Sequence, residues 1–203
     1  MPYIDVPNTD WRDVYKLCIG FINPRPIALV STVSTSGEHN LAPFSFYNMV
    51  SANPPVVMFC PGAKRDGGLK DSLINVRDTG QFVVATVTET IAEQMNACSA
   101  ALPHGQSEFD LSGLTPKPAT KVKPPLVSES PVNIECTLRE IKVISEKPGG
   151  SSLVFGDIVA IHIADRLLDA DGSLDPHKLQ AVGRLGGLNY CNTRDVFDLP
   201  RPG

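Results

Sequence analysis

The chain has 203 residues, 42% of them hydrophobic, with 18 Lys and Arg against 22 Asp and Glu. That is enough apolar material for the core of one domain, and a net charge of −4 supplies no general basic field for nucleic acid. The first residues, MPYIDVPNTDWRDVYK, carry Asp5, Asp10 and Asp13 and no apolar run, which argues against a conventional signal peptide, and no uncharged apolar window long enough to span a membrane follows.

RPIALVSTVSTSGEHN alternates, with Ile27, Leu29 and Val33 on one face and Ala28, Val30, Thr32 and Ser34 on the other, and predicts a strand followed by a turn. A second strand then enters NLAPFSFYNMVSAN, and PPVVMFCP is a third, its prolines at the margins where they do least harm. GGLKDSLINVRDTG sets Leu69, Leu73 and Val76 at helical spacing, with Gly80 where the helix should stop. After the strand QFVVATVT, TETIAEQMNACSA places Ile91, Met95 and Cys98 on one helical face, with Thr90 and Glu93 spaced as a capping box. Residues 101–131 read as a long loop, a lid or a partner contact.

PVNIECTLREIKVIS alternates until Glu140–Ile141, where the phase slips; a β-bulge there returns Ile141 and Val143 to the inner face. PGGSS is a hairpin turn, and in the long strand that follows Phe155, Val159, Ile161 and Ile163 face one way, Gly156, Ile158, Ala160 and His162 the other. The glycine-rich C-terminus, AVGRLGGLNYCNTRDVFDLPRPG, reads as irregular. Strands arriving as hairpins, with two helices between them, favour an antiparallel barrel with helices at its side over alternating βα units. The expected organisation is an N-terminal extension (1–19), a barrel domain (20–168) and a C-terminal extension (169–203) packing on the barrel or on a dimer partner.

The chain lacks a Rossmann fingerprint, a P-loop, CxxC, HExxH, an EF-hand loop and GxSxG. His39, His104, His162 and His177 are isolated and suggest no metal site, and no catalytic side chain stands out. Cys18, Cys60, Cys98, Cys136 and Cys191 are odd in number and scattered, as reduced packed thiols of a cytoplasmic protein would be. Hydride transfer between two bound molecules fits this silence, because it needs binding groups and no protein nucleophile.

The polar residues in NLAPFSFYNMVSANPP need an explanation, since proline gives up a ladder bond and unpaired polar groups resist burial. One reading is an edge strand with a bulge. The other is the wall of an FMN site, with Ala42, Pro43, Phe44 and Ser45 along the ring edge and Ser31 and Thr32 donating from the strand before. AKRDGGLKDS gathers Lys64, Arg65, Lys70 and Ser72 at a helix start, either as a solvated cluster or as a cradle for the FMN phosphate.

The pairing of NLAPFSF with NPP and then KDSLIN resembles the flavin reductase-like family, over residues 20–165. The resemblance implies a mainly β (α+β) fold, a six-stranded antiparallel split β-barrel with Greek-key character and flanking helices. It further implies a homodimer with FMN near the subunit interface, reduced by NADH or NADPH, and a flavin-dependent monooxygenase or other electron acceptor as partner. The alternative it carries is an FMN electron carrier of flavoredoxin type, reduced by a separate enzyme. By position it puts Ser51 and Asn53 near the ribityl or phosphate end and Arg25 as a neighbour. GRLGGLNY makes Arg184 and Tyr190 candidates for closing the site or touching nicotinamide. His162 faces a bound ring or is a satisfied core histidine.

Overall fold

The computed structural model of the protein describes residues 1–64, 67–102 and 106–202; Arg65 and His104 lie outside the described residues. In chain order the strands are β1 (Ala28–Val33), β2 (His39–Phe44), β3 (Tyr47–Ala52), β4 (Pro55–Phe59), β5 (Gln81–Thr86), β6 (Pro116–Lys117), β7 (Leu126–Val127), β8 (Val132–Val143), β9 (Ser152–Ile163), β10 (Val182–Arg184) and β11 (Tyr190–Asn192). Seven of them form one sheet in the order β2-β1-β5-β8-β9-β4-β3, every neighbouring pair antiparallel.

The sequence reading expects six strands. The seventh arises because the run from Asn40 to Asn53 is broken at Ser45 and Phe46. Its first half pairs with β1 and its second with β4, so one stretch supplies both edges of the sheet, which stays open between them.

The helices are α1 (Trp11–Phe21), α2 (Asp71–Thr79), α3 (Ala92–Ala97), α4 (Glu108–Ser112) and α5 (Pro176–Leu179). Helix α2 ends as expected at Gly80, in the left-handed region at φ 69°, its N–H bonded to the Val76 carbonyl. Leu73 and Val76 enter the inner core with Val30, Val57 and Val84, where the Phe59 ring meets Phe44 at a tilt and Phe82 edge-on, with centroids 5.1 and 5.2 Å apart. On the opposite face Leu29 and Leu41 meet Ile91, Met95, Cys98 and Phe109. The expected capping box is not made: Glu89–Ile91 is a 3-10 turn, and the Thr90 hydroxyl pairs with that of Thr88.

The β8 bulge occurs as expected, Arg139 being the extra residue. Ile141 packs on the inner core, but Val143 is 54% exposed, because β8 beyond Leu138 has only β9 beside it. An unexpected slip at Val159 turns Ile161 and Ile163 to the face of their partners Ile134 and Val132, away from Phe155. Residues 106–131 are no structureless loop: α4, β6 and β7 lie among them. They are tied down through buried carboxylates. Glu108 accepts the Leu41 N–H at 2.9 Å, and Glu135 accepts those of Thr120, Lys121 and Val122 at 2.9, 2.6 and 3.0 Å. The C-terminus is also more regular than expected, β10 and β11 forming a hairpin docked through Arg25–Arg184 and Val182–Val87 backbone bonds.

Candidate functional site

Strand β2 is an edge, and Glu108 reveals its phase. The Leu41 N–H points away from β1 to reach that carboxylate. Alternation in an antiparallel pair then sends position 43 outward as well, where proline has no N–H to leave unpaired. Ala42 and Phe44 consequently pair inward, opposite Val30 and Ala28. Phe44 is 6% exposed and packs on Phe59. Of the Ala42–Ser45 stretch, Pro43 and Ser45 reach a surface cleft.

That cleft, about 190 Å³, is floored by Ile27, Pro43 and Met95 and edged by Ser45, Asn96, Ser99, Arg184 and Tyr190. Pro43 and Ser45 are thus brought together with the two C-terminal candidates. The Tyr190 hydroxyl donates to Asn96 Oδ1 at 3.3 Å, tying β11 to α3. The Arg184 guanidinium lies 4.4 Å over the Tyr190 ring and donates to the carbonyls of Asn189 and Gly187 at 3.0 and 2.6 Å. Asn96 escapes sequence reasoning because a polar residue beside an apolar helical stripe reads as a solvated face.

The helix-start cluster is built differently from a row of free cations. Lys64 Nζ lies 3.2 Å from Asp71 Oδ1. Lys70 is the N-cap residue of α2, its side chain making no cap. Ser72 is 1% exposed and its hydroxyl receives the Asn40 amide at 2.9 Å. One turn on, the Asn75 amide donates to the Thr32 hydroxyl at 3.0 Å. Asn40 and Asn75, absent from the expected site, thus hold α2 against β1 and β2.

Other expected residues are dispersed. Ser31 and Thr32 have no accessible surface, and the Ser31 hydroxyl has no partner among the described residues. Arg25, 8% exposed, donates to the carbonyls of Ile19, Ile22 and Leu185 at 3.0, 2.6 and 2.9 Å, joining the end of α1 to the C-terminal hairpin. Burial, and secondarily the neighbouring Arg184, lowers the pKa of Arg25. Ser51 and Asn53 stand at the end of β3, the sheet edge opposite β2. His162 bonds Glu135 at 2.6 Å, as a satisfied histidine does. Among the described residues no His, Cys, Asp and Glu group is arranged to hold a metal.

A family model described as "Flavin reductase like domain" matches residues 21–192. An uncharacterized protein of Halalkalibacterium halodurans is 39% identical over 94% of this chain and 92% of its own length. Nitrilotriacetate monooxygenase component B from Bacillus cereus superposes with a TM-score of 0.93 at 33% identity, covering 98% of both chains. The 2-nitrobenzoate 2-nitroreductase NbaA of Pseudomonas fluorescens gives 0.88 at 33% identity, over 99% of this chain and 96% of that one. The chain therefore belongs to the flavin reductase-like family.

Proposed function

We propose that this protein is an oxidoreductase that holds FMN along the open edge of β2, where NADH or NADPH reduces it for delivery to an acceptor. The construction of β2 carries the reading. Near its start Asn40 meets Ser72 at the head of α2, and past its middle Pro43 lines the cleft, roughly 10 Å further at about 3.3 Å per residue. Asn40 uses the face that meets α2 and Pro43 the face that meets α3, so a ligand touching both lies along the strand's free edge.

The groups present fit a flavin phosphate and ring. Lys70 stands at the α2 N-terminus, where backbone N–H groups and the helix dipole favour an anion. The Pro43 carbonyl points out of the ladder as an acceptor for a ring N–H. Ser45 offers a hydroxyl, and Ile27, Pro43 and Met95 an apolar surface. When bound, the flavin supplies a ring that accepts hydride and passes electrons on; the chain's own part is to hold and orient it. Ser31 and Thr32 act behind this edge, Thr32 by fixing Asn75.

A cleft of about 190 Å³ is smaller than the roughly 300–1,000 Å³ of enclosed ligand sites, so a second copy is needed to complete the walls. Exposed Phe21, Ile22 and Leu188, at 68, 56 and 92%, sit on the joined ends of α1 and the C-terminal hairpin beside Arg184 and are the surface for a homodimer. Ser51 and Asn53, at the sheet edge opposite β2, reach a flavin most simply across that dimer. Five free cysteines suit a reducing cytoplasm. No helix among the described residues is long and apolar enough to cross a membrane. The name of the Bacillus cereus neighbour supports a flavin-dependent monooxygenase as the acceptor.

The small cleft also favours a second reading, an FMN electron carrier that a separate enzyme reduces. The test is to load the protein with FMN, remove free flavin on a desalting column, and add NADH or NADPH without oxygen. Bleaching within seconds supports the reductase, and the faster nucleotide names the donor. A stable yellow colour supports the carrier, and a colourless protein overturns both.

A further inference from the structure

We infer that Arg184 is the fixed counter-charge for the reduced ring, so that the chain holds reduced flavin more tightly than oxidised flavin. The inference rests on the function proposed above and says how that site answers the arrival of electrons.

Three observations single out Arg184. Its guanidinium is immobilised: it donates to the Asn189 and Gly187 carbonyls and lies 4.4 Å over the Tyr190 ring, whose hydroxyl is tied to Asn96 of α3. Among the described residues it has no carboxylate partner, whereas Arg77, Arg139 and Arg194 pair with Asp78, Asp157 and Glu89. It also edges the cleft that Pro43 lines, beside the apolar surface of Ile27 and Met95. The two carbonyls fix its direction and leave its full positive charge in place.

The charge balance of the reaction gives that cation a use. Hydride from NADH or NADPH brings two electrons and one proton, so a neutral ring that accepts it becomes an anion, and the chain supplies no proton. A ring whose N–H meets the Pro43 carbonyl has its pyrimidine half toward the cleft, and that half carries the new charge. A cation already fixed there, against apolar walls, favours the anion with no reorganisation at the moment of reduction. Lys70, at the N-terminus of α2, cannot do the same, because the charge of a phosphate does not change when the ring is reduced.

The test is the midpoint potential of bound FMN, measured without oxygen against a reference dye, for wild type, Arg184→Gln and Lys70→Ala. Wild type should bind reduced FMN at least tenfold tighter than oxidised FMN, which sets the bound couple about 30 mV or more above free FMN. Arg184→Gln should lose most of that difference, and Lys70→Ala should weaken both redox states and keep it. The pH below which reduction takes up a second proton should be lower in wild type than in Arg184→Gln, since a cation opposes protonation of the anion. A residue that only pinned the hairpin would affect both redox states alike and move neither readout. A bound potential at or below that of free FMN, one unchanged by Arg184→Gln, or an equal loss in Lys70→Ala overturns the inference. If Arg184→Gln does not fold, Arg184→Lys keeps the charge and should keep at least a threefold preference for reduced FMN; a lysine variant with none overturns the inference. A protein that takes up no FMN refutes the proposed function and this inference with it, whereas a yellow protein without the preference refutes this inference alone.

Discussion

His162 Nε2 lies 2.6 Å from Oε1 of Glu135, a carboxylate with no accessible surface. Burial pushes the Glu135 pKa up, but His162 and the N–H groups of Thr120, Lys121 and Val122 outweigh it, so the group sits below its ordinary value of 4.5. A carboxyl held below its unfolded value contributes stability that is complete above that value and is lost as pH falls through the folded one. The wild type's resistance to urea should therefore fall as the pH drops below about 4.5, and Glu135→Gln should show a flatter acid limb. Parallel acid limbs would remove Glu135 from the account. At neutral pH Glu135→Ala should cost about 3–5 kcal/mol, because it strands the partners of a buried charge.

Glu108 titrates in the opposite sense. Burial raises its pKa, only partly offset by the Leu41 N–H, and Asp71 adds to the rise. A raised carboxyl binds its proton more tightly in the folded state, so its ionisation subtracts stability as pH climbs past the ordinary value. Glu108→Gln, which keeps an acceptor for Leu41, should stay within about 1 kcal/mol of wild type at pH 7, whereas Glu108→Ala should cost about 1–3 kcal/mol. Denaturant midpoints at pH 7 decide it: equal losses in the two variants would mean that the charge, not the acceptor, is needed.

These carboxylates also mark where sequence reasoning stops. Pro43, Gly80 and the phase slip near Glu140 are legible because each breaks a local rule that a neighbouring residue exposes: a missing donor, a positive φ, a lost alternation. The Glu135 partners lie 13 to 15 residues away and the Asn40–Ser72 pair spans 32 residues, with no periodicity to announce either. The bend at Ser45–Phe46 is set by two different pairing partners rather than by a turn residue, which is why one strand was expected where two edges form. In the cleft, Pro43 and Ser45 stand out by breaking a strand pattern, while Arg184 and Tyr190 follow from the family resemblance. Asn96 is polar on a helix and carries no mark of its own.

Gly156 is a further residue whose role is steric. A Cβ there would collide with the Phe82 ring and press on Cys136 in the inner core. Gly156→Ala should destabilise the protein by about 1–3 kcal/mol through overpacking. Phe82→Leu should recover part of that loss by vacating space, a coupling readable in a double-mutant cycle. Strictly additive losses in the cycle would show that Phe82 is not the obstacle.

Lys70 gives the sharpest test of the flavin assignment. Lys64 is engaged with Asp71, whereas Lys70 makes no ion pair among the described residues and stands at the N-terminal end of α2. A phosphate held there gains a charge-assisted contact in addition to the helix end. Lys70→Ala should therefore weaken FMN binding by about 1–3 kcal/mol, while binding of riboflavin, which has no phosphate, should hardly change. Lys64→Ala should have a smaller effect on FMN, since that cation is already shared. The measurement is flavin fluorescence quenching with both flavins on all three proteins. An equal loss for FMN and riboflavin would mean that Lys70 shapes the ring site rather than the phosphate site, and no loss for either would move the phosphate away from α2.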